Sequence, residues 1–165
     1  MSTRTFVVSV SLLIMVALFV TVLFGADMFS GTWKLNTAKS TFSPGPVPKE
    51  GIGKIQAVDN GLNVVLDGVN ASGQKTHTEY TMKFDGKDYP SKSTLDGKPN
   101  PNGDIMVSGK KIDDYSYETT AKLKGKVLGT SKTVVSKDGK TATVTQTGTT
   151  TEGKPVNNKI IIEKQ

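Results

Sequence analysis

The chain has 165 residues, no cysteine, a single histidine (His77), a single tryptophan (Trp33) and a formal net charge of +6. A chain of this length points to one compact domain. The lack of cysteine excludes disulfides, thiolate metal sites and thiol catalysis, and one histidine excludes every site that needs two imidazoles.

Residues 1–26 read as a leader apart from the fold. Arg4 gives a short basic start, Phe6 to Phe24 is apolar except for Ser9, Ser11 and Thr21, and the small pair Gly25-Ala26 precedes Asp27. Basic, apolar and small-residue parts in that order form a secretory signal peptide. The apolar run also nears the ~20 residues that cross a bilayer as a helix. The alternative is therefore an uncleaved membrane anchor through residues 6–24, with Arg4 inside. Either reading places residues 27–165 outside the cytoplasm, as a periplasmic, secreted or membrane-anchored domain. An exported chain without disulfides must be stabilised by its core alone, and residues 27–165 suffice for one.

Phe29–Leu35 opens the domain and contains Trp33. Residues 37–50 carry Pro44, Pro46 and Pro48 and read as a long crossing loop, because proline interrupts helices and central strands. Turns follow at Asp59-Asn60-Gly61, Ser72-Gly73, Asp85-Gly86, Asp96-Gly97, Asp113-Asp114, Lys124-Gly125-Lys126, Asp138-Gly139 and Glu152-Gly153. They recur roughly every dozen residues, the spacing of short hairpin-linked strands. Asn-Gly and Asp-Gly suit two-residue hairpins, whose central residues take positive φ.

Between the turns the residues alternate with the period of a strand. Leu62, Val64 and Leu66 share a face. Thr76, Thr78, Tyr80, Met82 and Phe84 face one way, and His77, Glu79, Thr81 and Lys83 the other. Tyr115, Tyr117, Thr119, Ala121 and Leu123 oppose Ser116, Glu118, Thr120 and Lys122. Thr141, Thr143, Thr145 and Thr147 oppose Ala142 and Val144, and Ile160 and Ile162 share a face near the C-terminus. Residues 96–103 read as a second irregular loop. The abundance of threonine and valine agrees with strands, and no helical period emerges from residue 27 onward.

These segments predict an all-β domain of about eight to ten antiparallel strands in sequential order. A flat sheet would expose two edges. Closure into an up-and-down barrel removes them and leaves room for packed side chains or one small ligand. A two-sheet sandwich is the alternative.

The Gly-x-Trp of Phe29-Ser30-Gly31-Thr32-Trp33-Lys34-Leu35 resembles the opening motif of lipocalin and avidin-type barrels. The stretches GTWKLNTAKSTFSPGP (31–46), FDGKDYP (84–90) and SKDGKTATVTQTGT (136–149), running on to VNN (156–158), are similar to a family of bacterial exported, lipocalin-like proteins. The resemblance covers nearly all of residues 28–165. It implies a calycin-type antiparallel β-barrel, an extracytoplasmic location and a Trp33 packed across the closed base. It implies no activity.

Candidate chemistry is sparse. His77 and Glu79 project from one side of a strand but lack a nucleophile and an oxyanion loop, and read as a solvent-facing pair. The loop DGKPNPNGD (96–104) keeps Asn100, Asn102 and Gly103 of a calcium loop. Lys98 stands where its first aspartate belongs and Gly109 where its glutamate belongs, so no metal is expected. Asp85 with Asp88, and Asp113 with Asp114, read as turn residues bonded to their own backbone. The recurring Gly-Lys pairs, such as 86–87 and 139–140, start strands rather than phosphate-binding helices. From residue 27 on, every basic side chain is a lysine mixed with acids. With no arginine for base contacts and no aromatic–basic strip, no nucleic-acid partner is expected, and no cofactor either.

The composite reading is a monomeric exported barrel, without catalysis, holding a small apolar or amphipathic ligand. Its candidate interior is Trp33, Tyr80, Met82, Phe84, Tyr115, Tyr117 and Leu123, since aromatic walls with a few polar tips typify ligand sites. The alternative is a cell-envelope interaction or structural protein, with these residues filling the core and an outer surface or the 37–50 loop doing the work. An enzyme is the third reading, without a catalytic set to name.

Overall fold

The computed structural model describes residues 27–101, 103–150 and 153–165. The leader, Asn102 and Glu152 of the last turn lie outside the described residues. The described chain forms β1 (Gly31–Thr41), β2 (Glu50–Val58), β3 (Gly61–Val69), β4 (Lys75–Lys83), β5 (Tyr89–Leu95), β6 (Lys98–Pro99), β7 (Met106–Lys111), β8 (Ser116–Leu123), β9 (Lys126–Val135), β10 (Thr141–Thr149) and β11 (Pro155–Lys164). Each long strand pairs antiparallel with its sequence neighbours, β4 pairs with β5, and β1 pairs with β11. The result is a closed ten-strand up-and-down barrel, with β6 a two-residue annex of β5. Closure, not a two-sheet sandwich, removes the edges.

Turn chemistry sets the hairpins. Asp96 and Gly97 have φ of 49° and 75°, and Lys124 and Gly125 have 50° and 79°. Two positive-φ residues in a row are the tight-turn geometry that follows the twist of flanking strands. The stretch read as one crossing loop over 37–50 is corrected at its start. β1 runs on to Thr41, and only 42–49 is loop. The β1–β11 register slips between Asn36 and Thr41. At that slip the Ser40 hydroxyl donates to Asn36 O (2.6 Å) and accepts from Ile161 N (2.9 Å). A side chain thus bridges the backbone where the ladder is broken, as a β-bulge requires.

Successive hairpins alternate between the two barrel ends. One end receives residues 27–30, the turns at 59–60, 84–88, 112–115 and 136–140, and Gln165. It is plugged. Phe29, Trp33, Leu62, Val64, Met82, Val107, Tyr117, Val135 and Ala142 form the buried core there. Each fully buried aliphatic side chain in that set contributes about 1.5–3 kcal/mol. Asp27 turns the entering chain by accepting Phe29 N (3.3 Å) and Ser30 N (2.9 Å), which drives Phe29 inward. The Trp33 indole donates to Phe29 O at 2.8 Å, and Phe29 packs edge-on against Tyr117 with ring centroids 4.9 Å apart.

Candidate functional site: a cavity at the open end

The register decides which side chains face inward. Leu62, Val64, Leu66 and Gly68 oppose Met82, Tyr80, Thr78 and Thr76 on one face of the β3–β4 pair. Toward the plugged end those positions carry bulk. Toward the other end they shrink to Gly51 and Gly53 on β2, Gly68 on β3, and Thr76 and Thr78 on β4. A barrel of ten strands is also wider than one of eight. Small inward residues in a wide barrel leave space. A cavity of about 360 Å³ opens there, with Trp33 as its floor and Leu35, Ile55, Leu66, Val144, Ile160 and Ile162 among its walls. Only about 10 Å³ of void remains below Trp33, among Phe29, Tyr117 and Val135. Leu66 faces inward yet is 42% exposed, which an open mouth explains.

The polar groups are few and largely engaged. Thr78 Oγ1 and Ser93 Oγ lie 3.0 Å apart. Asn158 Nδ2 donates to Gln146 Oε1 at 3.0 Å, and Asn158 Oδ1 accepts from Ser43 N at 2.9 Å. The second bond ties loop 42–49 to β11 at the mouth, and Pro48 of that loop lines the cavity. Glu50 and Asp67 reach only the rim, since the register turns them outward with Val69 and His77. The inward strand positions around the cavity therefore carry no charged side chain. Such a chamber favours neutral apolar contact with a few hydrogen bonds, because an unpaired charge there would be costly to bury.

The seven residues read from the sequence as interior separate into three groups. Trp33 lines the cavity. Tyr80, Met82, Phe84 and Tyr117 cluster beneath it: Met82 is fully buried, Phe84 lies 5.7 Å from Tyr117 between ring centroids, and all four belong to the packed core. Burial pushes the Tyr80 hydroxyl well above the usual tyrosine range and raises that of Tyr117. Tyr115 is 40% exposed and lies outside the interior, because β8 begins only at Ser116 and the alternation does not reach back past it. Leu123 is half-buried at the far end of β8 and lines no part of this cavity. Aromatic content pointed to the packed half. The cavity is marked instead by Gly51, Gly53 and Gly68.

His77 lies on the outer wall, as its alternation required. Its Nδ1 is 2.7 Å from Asp67 Oδ1 and its Nε2 is 3.9 Å from Glu79 Oε2. Asp67 was not singled out in the sequence, although the Asn70–Gln74 turn sets it opposite His77 in register. The pair borders an exterior hollow of about 370 Å³ with Ile52, Lys75 and Thr94. Among the described residues no nucleophile is bonded to it. Among the described residues no group of three or more His, Asp or Glu is arranged to hold a metal. Asp85 and Asp113 accept their own turn amides, from Lys87 N (3.0 Å) and Tyr115 N (2.8 Å). Asp88 instead pairs with Lys122 at 2.8 Å, and Asp114 with Lys111 at 2.8 Å.

No model of a known protein family matches the chain, and no curated protein sequence matches it significantly.

Proposed function

We propose that this chain is an exported, lipocalin-like binding protein that holds one small uncharged, apolar or amphipathic ligand in the mouth half of its barrel. The carrying observation is the contrast within one barrel between a filled base and an open cavity of about 360 Å³ with uncharged inward positions. That volume falls at the lower end of the range for small-molecule sites, which are mostly apolar with a few placed polar groups. Trp33 offers a flat apolar floor, and Gln146 and Thr78 offer the hydrogen-bonding tips. The ligand's apolar body rests on Trp33, and its polar end meets Gln146 or Thr78. Binding without catalysis agrees with the position of the His77–Asp67 pair on the outer wall. A closed barrel leaves no strand edge to recruit a second copy, which supports a monomer. The apolar run of residues 6–24 supports export and an extracytoplasmic location.

The test is native mass spectrometry of protein recovered from its own host, with neutral fluorescent apolar probes added in parallel. A bound small molecule, and probe displacement by it, are expected. Val144→Phe and Ile160→Phe, both aimed into the cavity, should abolish probe uptake while leaving the β-sheet circular dichroism intact. Ligand-free protein whose probe signal ignores both substitutions overturns the proposal.

A further inference from the structure

The two ends of the barrel differ in how their charges are managed. At the plugged end three of the lysines in or beside the turns are matched to aspartates: Lys83 with Asp59 at 3.4 Å, Lys87 with Asp85 at 3.8 Å and Lys111 with Asp114 at 2.8 Å. At the mouth, Lys49, Lys75, Lys98, Lys124, Lys126 and Lys154 are all exposed. Among the described residues none of these six joins an ion pair. The described acids at that end are Glu50, Asp67, Asp96 and Asp104; Asp67 lies 2.7 Å from His77, and the Asp96 carboxylate accepts from the backbone N of Lys75 at 2.8 Å. Three large apolar side chains on the outer surface stand out among these lysines, Val47 (48% exposed), Ile52 (42%) and Val127 (50%), whereas the exposed apolar side chains of the plugged end, Val58, Ile112, Tyr115 and Val134, sit among its aspartates.

Unpaired lysines interleaved with exposed aliphatic side chains suit an interface with anionic headgroups above an apolar layer. The aliphatic tips enter the acyl boundary, and the lysine stems extend so that their ammonium groups stay at headgroup level. We infer that the mouth docks onto an anionic phospholipid bilayer, so that the cavity opens directly toward the lipid. The plugged end is less suited to this, because seven aspartates (27, 59, 85, 88, 113, 114, 138) outnumber the six lysines of its turns and strand ends (83, 87, 111, 137, 140, 164), three of which are paired with them. Asp27, which follows the leader, also lies at the plugged end, so the bilayer met by the mouth is not one held at residue 27. The docking surface stands on these exterior residues and does not depend on the cavity being occupied.

Residues 27–165 supply every strand of the closed barrel and its whole core, so this domain is the unit to test. It is floated with vesicles of phosphatidylcholine alone and of phosphatidylcholine with phosphatidylglycerol, roughly two to one, at low salt and at about 0.5 M salt. Binding to the anionic vesicles alone, and its loss in salt, is expected. Each lysine near an anionic surface is worth about a factor of five in affinity. The triple variant K98E/K124E/K154E should therefore bind about a hundredfold more weakly or worse, while K87E/K137E/K140E binds as the parent. The chain has no cysteine, so Val127→Cys and Ile112→Cys can each carry an environment-sensitive dye. Only the dye at 127 should shift on anionic vesicles. Equal response at both ends, equal binding to neutral vesicles, or retention by dextran sulfate without vesicle binding overturns the inference. Val144→Phe must float like the parent, which separates failure here from failure of the ligand-binding proposal.

Discussion

The Trp33 indole donates a hydrogen bond to the Phe29 carbonyl at 2.8 Å, and that contact divides the barrel into a packed base and an open mouth. Trp33 is 2% exposed and spans the interior, with Phe29 below it and the cavity above. Lys164 Nζ lies 5.1 Å from the ring centroid at the β1–β11 closure. Trp33→Ala should cost about 3–5 kcal/mol through lost burial and a residual cavity. Trp33→Phe should cost less, chiefly by leaving the buried Phe29 carbonyl without its donor, about 1–3 kcal/mol. Equilibrium urea denaturation followed by far-UV circular dichroism measures both. As the chain's single tryptophan, Trp33 should also report occupancy of the cavity by a shift in its emission.

Met82 and Gly109 form a second close pair, where β4 passes β7 beyond its pairing with β5. A β-carbon at Gly109 would lie 2.8 Å from the Met82 sulfur and 3.1 Å from its methyl carbon. The end of a methionine is flexible, so Gly109→Ala should displace it rather than block folding, at about 1–3 kcal/mol. Met82→Ala should cost about 2–5 kcal/mol, because the side chain is fully buried. The double variant should be less destabilised than the sum of the two, since each change relieves the other. Thermal unfolding of the four proteins of this cycle gives the coupling, and strict additivity would contradict the contact.

Strands with clean alternation were readable without coordinates. β3, β4 and β10 face as Leu62–Leu66, Thr76–Met82 and Ala142–Val144 require. The second half of β1 was not readable, because Thr37, Ala38, Lys39 and Ser40 do not alternate and the strand there is held by a bulge. Its structural signal is side-chain chemistry: Lys39 N donates to Asn36 Oδ1 at 3.0 Å, and Ser40 bridges to Ile161. The cavity was hidden for a different reason. Tyr80, Met82 and Tyr117 look like ligand walls in a sequence, but inward bulk fills a barrel and inward glycine opens one. Which half is filled depends on register, which joins residues such as Leu66 and Gly53 that are distant along the chain.

The bulge yields its own prediction. Ser40→Ala removes both the donor to Asn36 O and the acceptor for Ile161 N. Two part-buried backbone groups lose their partner, at about 1–2 kcal/mol in total. Amide exchange at Ile161 should accelerate far more than at Ile162, whose position belongs to the regular β10–β11 ladder opposite Ala142. Hydrogen exchange read by NMR distinguishes this local loosening from uniform destabilisation.

Acid should weaken the fold through its turn aspartates and Glu163. The Ser136 hydroxyl, then the Lys140 amide, hold the Asp138 carboxyl below its ordinary value of 3.8. The Tyr115 amide and the Ser116 hydroxyl do the same for Asp113, and Lys39 followed by Asn36 lowers Glu163 from 4.5. A folded-state pKa below the unfolded one means that the unfolded chain binds protons first as pH falls. The stabilisation is therefore complete above about pH 5 and is lost as pH drops through the depressed folded values. Melting temperature should be flat between about pH 5 and 7 on this account and should decline below about pH 4. Asp113→Asn combined with Asp138→Asn should lower the plateau slightly and flatten the acid decline. A decline of unchanged steepness would assign acid sensitivity to other carboxylates.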